Sequence, residues 1–289
     1  MASLGDKVVE QRVAGDAREA LESIRTKGTE FIVNDSAWYW PNDRGKVMRC
    51  VVNSAQFISG QFSADLVKKG WTCPATIQGQ EIDGYIELPV STPGFSLARE
   101  VFFDFLRAYV AVVDDPRELD RICAYFFQTY VKRRVFGLGE IPEDLHHYLT
   151  RSRGTDVLRV GMEFETGNIA SSFRAFTKLN FLYTVNKIDA ALFVTAIDKA
   201  NCAGRIWPTS NRNGSFEELK RRQYAQAVLY PAWELGFAPD GFSPNASYLG
   251  ANGSLYEPVR SGTRTVNGAA YEVWIGQGGR ELLRPVEHD

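Results

Sequence analysis

Hydrophobic positions in the first third of the chain fall into helical and alternating patterns. Between residues 8 and 27, apolar side chains recur three or four positions apart, which predicts an amphipathic helix. Segments 29–34 and 45–54 are short and rich in β-branched residues, and they predict strands on either side of a turn. Residues 79–90 predict a hairpin or strand pair. This part of the chain therefore mixes one helix with short strands.

Two longer apolar segments follow a break at Pro93 and Gly94. Residues 96–113 predict a largely buried helix, and a second predicted helix follows Pro116 and covers 117–134. A glycine-containing turn and a short helix are expected over 137–154.

Between residues 156 and 237, predicted strands and helices alternate. Residues 156–165 predict a strand, and a helix over 168–185 follows, with Asn168 as its N-cap. Residues 190–197 are almost continuously apolar, which is typical of a strand buried on both faces. A helix at 215–222 and a strand at 227–237 complete the series. This order predicts an α/β fold.

Beyond residue 238, Gly, Ser, Asn and Pro are frequent, so we expect loops with a late strand near 271–276. The chain has 289 residues, of which 44% are hydrophobic, enough for one large domain with a sizeable core. No apolar run is long enough for a membrane span, and the first 24 residues lack an apolar signal core. The four cysteines form no CxxC motif. We therefore expect a cytoplasmic protein.

The net charge of −2 and pI of about 6.0 do not single out a nucleic-acid-binding protein. Basic residues nevertheless cluster at four places, each of which is either a solvated surface or part of a cleft that meets phosphates. These clusters are 132–134, Arg151 with Arg153, 220–222, and Arg260 with Arg264.

Two glutamates interrupt the apolar strand at 156–165. Side chains two residues apart on a strand point to the same face, so Glu163 and Glu165 are expected to project together while Phe164 packs behind them. A buried carboxylate costs free energy unless a partner stabilises it. The pair therefore lies either on a solvated face or in a site that uses both acids.

A third acid, Asp144, precedes this strand in the segment EIPEDLHHY. If its loop approaches the strand end, three carboxylates converge, and such a cluster requires cations because like charges disfavour ionisation. Mg²⁺ suits oxygen ligands, and a carboxylate-held Mg²⁺ can activate water against a phosphodiester. The residues therefore indicate phosphodiester hydrolysis.

Other chemistries fit these residues less well. An inverting glycosidase also uses two carboxylates, but it places them on opposite sides of a sugar cleft, whereas Glu163 and Glu165 share one strand face. A zinc site at His146 and His147 is disfavoured because adjacent helical residues diverge and no cysteine is near.

Polar residues that could contact DNA follow the acidic strand. Asn168, Ser171 and Arg174 stand at the start of the next predicted helix, where backbone amides and polar side chains suit phosphates or base edges. Asn211 and Arg212 lie in the polar loop SNRNG; Arg can read guanine and Asn can read adenine.

The segment RVGMEFETGNIASSFRAFTKLNFL, followed by IDAALFVTAI and SNRNGSFEEL, closely resembles the BamHI-like type II restriction endonucleases, which are related to the BglII group. Weaker similarity covers roughly residues 71–260. We therefore divide the chain into an N-terminal extension (1–70), an endonuclease core (71–260) and a C-terminal extension packed on the core (261–289).

The resemblance implies a restriction-endonuclease-like core of the PD-(D/E)xK type, with a central mixed β-sheet flanked by helices. It also implies a homodimer that encloses double-stranded DNA and cleaves a short palindrome with Mg²⁺. Asp144 and Glu163 would bind the metal, and Glu165 would replace the lysine of most nucleases of this fold. Asp114 matches a further acid of the family. The DNA-reading positions would be Asn168, Ser171, Arg174, Asn211 and Arg212.

Two departures bear on the recognition sequence. The resemblance implies an acid before the guanine-reading arginine where this chain has Asn211, and a small hydroxyl residue where it has Ala170. The family expectation is cleavage that leaves 5′-phosphates on four-base overhangs, with a cognate methyltransferase as functional counterpart. The alternative is a modification-dependent or non-cleaving DNA-binding protein with the same fold.

Overall fold

The computed structural model describes residues 11–41, 45–50, 52–93, 115–118, 121, 153–166, 169–197, 216–222, 228, 230 and 232–286. The predicted helix over 96–113 and nearly all of the helix over 117–134 lie outside these residues. Within the described part of the chain, no helix is long and apolar enough to cross a membrane.

Fifteen strands occur in the described residues, and we number them along the chain. They are β1 (Ile32–Val33), β2 (Trp38–Pro41), β3 (Val47–Cys50), β4 (Ala75–Ile77), β5 (Gln80–Ile82), β6 (Gly84–Pro93), β7 (Arg153–Glu165), β8 (Ala190–Ala196), β9 (Ala232–Phe237), β10 (Gly241–Phe242), β11 (Tyr248–Leu249), β12 (Leu255–Tyr256), β13 (Val259–Val266), β14 (Ala269–Ile275) and β15 (Glu281–Pro285). The described helices are α1 (Asp16–Glu22), α2 (Ala55–Lys68), α3 (Ile169–Thr184) and α4 (Phe216–Arg222).

The N-terminal part of the chain contains one expected and one unexpected helix. A π-helical turn, Gln11–Gly15, leads into α1, and together they confirm the predicted helix over 11–22, whereas residues 23–27, which were expected to continue it, are not helical. The helix α2 was not predicted, because glycine and short polar residues dilute its apolar pattern. Its start was nevertheless readable: the Ser54 side chain accepts a hydrogen bond from Gln56 N, as an N-cap residue does.

The central sheet has four strands in the order β6-β7-β8-β9. Strands β6 and β7 pair antiparallel over ten residues, whereas β7, β8 and β9 run parallel. Every residue of β8 is buried, as its continuous apolar run predicted. The sheet is therefore mixed, and helices cover both of its faces, which agrees with the expected α/β fold.

The two faces of β7 have different environments. Leu158, Val160, Met162 and Phe164 enter the core that contains residues of α1 and α2. The opposite face of β7 lies towards α3, and a Cβ at Gly161 would stand only 3.1 Å from Leu179 Cδ2. Glycine at this position therefore lets α3 approach β7 closely, just before the strand reaches its two glutamates.

The C-terminal segment is richer in strands than its composition suggested. A second sheet has the order β13-β14-β15-β2-β3 and joins strands from both ends of the chain. The expectation that loops dominate beyond residue 238 was therefore wrong. Asn267 and Gly268 both have positive φ, as hairpin turns require, so the Asn-Gly pair was the overlooked signal.

Candidate active site

The carboxyl end of β7 presents Glu163 and Glu165 to one cavity. Both side chains line a pocket of about 770 Å³, whose other walls include Gln80, Arg174 and Lys178. Phe164 points the opposite way, with its ring 5.0 Å from Phe62 and 5.2 Å from Phe237, measured between centroids. The structure thus confirms that the glutamates share one face of the strand.

Glu163 is a deeply buried acid with few contacts. It is 3% exposed, and Lys178 Nζ lies 2.5 Å from its Oε1 atom. At this distance the ammonium group and the carboxylate form a close charge-assisted pair. Burial raises the pKa of Glu163 to about 8; Lys178 opposes this shift, and the nearby Asp83 adds to it.

Glu165 is more accessible than Glu163, and its pKa is influenced by some of the same neighbouring charges. Burial and the negative charge of Asp83 raise its pKa to about 7, while Lys178 and Arg174 act in the opposite direction. The site therefore contains three carboxylates that repel one another and two cations that partly balance them. Raised carboxyl pKa values of this kind often accompany functional sites.

Lys178 was not identified from the sequence. It lies on α3, and its ammonium group donates a hydrogen bond to the backbone carbonyl of Glu81, 2.8 Å away, while also pairing with Glu163. The helix thus brings a cation to a strand that carries no lysine of its own. Because this contact joins residues 15 positions apart, only the close packing of α3 on β7 reveals it.

Asp83 is a second residue that the sequence did not single out. Its Oδ2 atom accepts a hydrogen bond from Phe164 N at 2.8 Å, so it contacts the backbone between the two glutamates. Asp83 stands just before β6, within a segment that was predicted only as a hairpin. An acid at a strand boundary in front of a glycine resembles an ordinary turn residue.

Several predicted site residues lie outside the described residues. These are Asp114, Asp144, Asn168, Asn211 and Arg212. Arg174 is described and lines the pocket with the two glutamates. Ser171 lies in the first turn of α3, with its side chain outside the description, whereas the neighbouring Ser172 is fully buried.

The described residues suit a hard divalent cation. Glu163 offers a buried carboxylate whose Oε1 atom faces Lys178, and Glu165 offers a second carboxylate in the same pocket. Such oxygen ligands are the ones that Mg²⁺ prefers. Within the described ranges, no three acidic, histidine or cysteine side chains form a complete metal-binding group.

Comparison with protein families identifies the chain. A family model described as restriction endonuclease BamHI matches residues 4–231. No individual curated protein matches the sequence. The family match covers well over half of the 289 residues and includes both glutamates, the helix α3 and the whole pocket between them. The resemblance seen in the sequence is thereby confirmed, and the chain belongs to the BamHI family of restriction endonucleases.

Proposed function

We propose that the protein is a Mg²⁺-dependent type II restriction endonuclease that cleaves both strands of duplex DNA at a short palindrome. The observation that carries this proposal is the pocket at the end of β7, where the buried Glu163 and the more accessible Glu165 face the same space. A cation or a reaction that uses these carboxylates would account for the cost of placing them there.

In this proposal, Glu163 and Asp144 hold the metal ion. When bound, Mg²⁺ supplies a Lewis acid that stabilises charge on the phosphate and lowers the pKa of a bound water. Glu165 orients the attacking water and accepts its proton. Lys178 offsets part of the negative charge of Glu163, and Arg174 at the pocket wall attracts the DNA backbone.

The restriction-endonuclease-like PD-(D/E)xK core is part of this proposal. Its support is the mixed sheet with helices on both faces, together with acids at the end of a central strand. Glu165 takes the lysine position of that motif. Asp114 is proposed as a further acid of the site, and Asn168, Ser171, Asn211 and Arg212 as residues that contact DNA.

We further propose that two copies form a homodimer around the DNA. Phe173 and Phe181 support this idea, because both large apolar side chains are exposed on α3 beside the pocket. Sedimentation of the wild type is expected to give a dimer, and Phe181→Ser is expected to shift the equilibrium towards the monomer. A wild type that sediments as a monomer with and without DNA would contradict this assembly.

The experiment that tests the function is digestion of phage or plasmid DNA with Mg²⁺, followed by sequencing of the fragment ends. We expect discrete fragments whose ends share one short palindrome and carry 5′-phosphates. Methylated and unmethylated DNA should be digested in parallel. Cleavage of unmethylated DNA supports an ordinary restriction enzyme with a cognate methyltransferase, whereas cleavage of methylated DNA alone would indicate modification dependence.

A second experiment addresses base reading by Arg212. If Arg212 contacts a base edge, Arg212→Ala should cost about 1–3 kcal/mol of discrimination at one position of the site. Competition binding in Ca²⁺ with single-base variants of the mapped site would measure this loss. Equal weakening on every sequence would make Arg212 a phosphate contact instead.

A further inference from the structure

A second cavity, of about 460 Å³, opens beside the carboxyl end of β9. Its walls come from α1, from the segment that follows this helix, and from the residues that end and follow β9. It shares no lining residue with the pocket of Glu163 and Glu165. We call it the arginine cavity. The polar side chains in its walls are those of Arg18, Glu22, Arg25, Thr29 and Asp240.

The arginine cavity lies along the same edge of the central sheet as the two glutamates. Glu165 pairs in register with Thr195, and Thr195 pairs with Gly236, which lines the cavity. Two strand spacings place the backbones of Glu165 and Gly236 roughly 10 Å apart. A DNA duplex covers this distance in roughly three base pairs. DNA that follows this edge from the glutamates therefore reaches the arginine cavity within a few base pairs of the cleavage site.

Two guanidinium groups in the cavity carry charges that no ion pair balances among the described residues. Arg18 is exposed on α1 and forms neither an ion pair nor a hydrogen bond in that part of the chain. Arg25 is also exposed, and only its Nη1 atom is used, donating to Ile24 O at 2.7 Å. By contrast, Arg12 in the preceding turn lies 3.6 Å from Asp16. Guanidinium groups with unused N–H donors suit phosphate oxygens.

The two acids of the cavity have different positions with respect to such a ligand. Asp240 is engaged in the fold, because its Oδ2 atom accepts a hydrogen bond from Phe31 N at 2.8 Å. Glu22 is exposed in the cavity wall, one turn along α1 from Arg18. Its negative charge would repel a phosphate that Arg18 attracts. Removal of this charge is therefore expected to strengthen phosphate binding, the opposite of removing either arginine.

We propose, resting on the DNA-cleaving function above, that Arg18 and Arg25 bind backbone phosphates of the DNA that flanks the recognition sequence. The segment around α1 then contributes to DNA affinity without reading bases. Phosphate contacts position a protein on the duplex and carry no sequence information directly. Each neutralised phosphate releases counterions, so these contacts should also increase the salt dependence of binding.

Binding of two DNA duplexes in Ca²⁺ tests the proposal, one limited to the mapped recognition sequence and one with long flanks on both sides. The double variant Arg18→Gln with Arg25→Gln should bind the long duplex about tenfold more weakly at about 0.1 M salt. Its slope of log affinity against log salt should be shallower by about 2. The short duplex should bind the wild type and the double variant alike. Glu22→Gln should bind the long duplex more tightly than the wild type.

Arg12→Gln is the matched control, since Arg12 belongs to the same helical segment, pairs with Asp16 and does not line the cavity. It should keep the wild-type affinity and salt slope. Wild-type affinity and slope in the double variant would overturn the phosphate contacts while leaving the nuclease function intact. Loss of discrimination at one base pair would also overturn them, because the arginines would then read bases. A wild type that binds neither duplex would overturn the proposed function as well.

Discussion

Two buried acids stand on the α3-facing side of the central sheet, and they differ in how many hydrogen-bond partners surround them. Asp189, 5% exposed, accepts hydrogen bonds from Arg159 N, Nε and Nη2, while Nη1 and Nη2 of the same arginine also bind Asn186. Glu163, 3% exposed, pairs with one cation, Lys178, among the described residues.

The difference separates an acid that stabilises the fold from one that is kept for chemistry. The Asp189 pair is two-pronged and hydrogen-bonded throughout, the arrangement in which a buried carboxylate is best stabilised. A backbone hydrogen bond from Asp189 N to Arg159 O also joins the start of β8 to β7. Glu163 lacks such partners although β7 carries both sites. A carboxylate left under-bonded in a cavity can accept a cation from solution.

The largest expected effect is the loss of cleavage in Glu163→Ala. Without this carboxylate we expect the single-turnover cleavage rate in Mg²⁺ to fall by at least about a thousandfold, corresponding to more than about 4 kcal/mol in the activation barrier. DNA binding measured in Ca²⁺ should persist. Glu87→Gln, which changes an exposed acid of β6 that does not line the pocket, is the control and should cleave at the wild-type rate. Undiminished cleavage by Glu163→Ala would remove Glu163 from the site.

The next largest effect concerns the free energy of unfolding, for which Asp189 should matter more than Glu163. Asp189→Ala leaves Arg159 without its charged partner and should lower the free energy of unfolding by about 3 kcal/mol. Glu163→Gln removes a charge that burial already disfavours, so the metal-free variant should be as stable as the wild type or more so. Urea denaturation at pH 8 measures both values. A greater loss in Glu163→Gln would contradict the distinction.

The raised pKa values of Glu163 and Glu165 also predict how the stability of the metal-free protein depends on pH. The pKa values of Glu163 and Glu165 are raised from 4.5 to about 8 and about 7, so the unfolded chain releases these protons at lower pH than the folded one. The free energy of unfolding of the metal-free protein should therefore fall by several kcal/mol as pH rises from about 5 to about 8.5.

Denaturation across this pH range tests the prediction, with Glu163→Gln as the informative variant. Its stability should decline less steeply than that of the wild type, because one of the two raised pKa values is gone. Equal slopes in both proteins would show that Glu163 does not contribute to the pH dependence.

The smallest expected effect belongs to Lys178→Met. Lys178 is 31% exposed, so its pairing with Glu163 should contribute only about 1 kcal/mol at pH 9, where Glu163 is ionised. At pH 5.5 the loss should vanish because Glu163 is then protonated. Lys68→Met, which removes an exposed lysine of α2, provides the control for charge alone. A loss that is equal at both pH values would make the role of Lys178 one of packing.

Local patterns predicted the strand and helix around the proposed site but not the contacts between them. The two-residue period of β7 and the apolar run of β8 were sufficient for the buried sheet and for the shared face of Glu163 and Glu165. Lys178 reaches the pocket from a helix, and Asp83, at a strand boundary, binds the backbone amide between the two glutamates. Their roles depend on which elements pack together, and neither residue type nor spacing reveals that.

Prediction from the sequence failed for a different reason in the C-terminal strands of the second sheet. Every residue of β13 except the last is exposed, so this strand has no apolar face that its sequence could display. Backbone pairing with β14 and the Asn267–Gly268 turn hold it in place instead. Composition therefore indicated loops where hydrogen bonding makes strands. The division at residues 70 and 260 remains a prediction, although β2 and β3 from the first part share a sheet with β13–β15.

The central claim is that the buried carboxylate of Glu163 is kept for a divalent metal ion. The most direct measurement is calorimetric titration of wild type and Glu163→Gln with Mn²⁺ at pH 8, under identical conditions. The account predicts saturable binding to the wild type and its loss in Glu163→Gln, although that variant stays folded. Wild-type Mn²⁺ affinity in Glu163→Gln would contradict the claim.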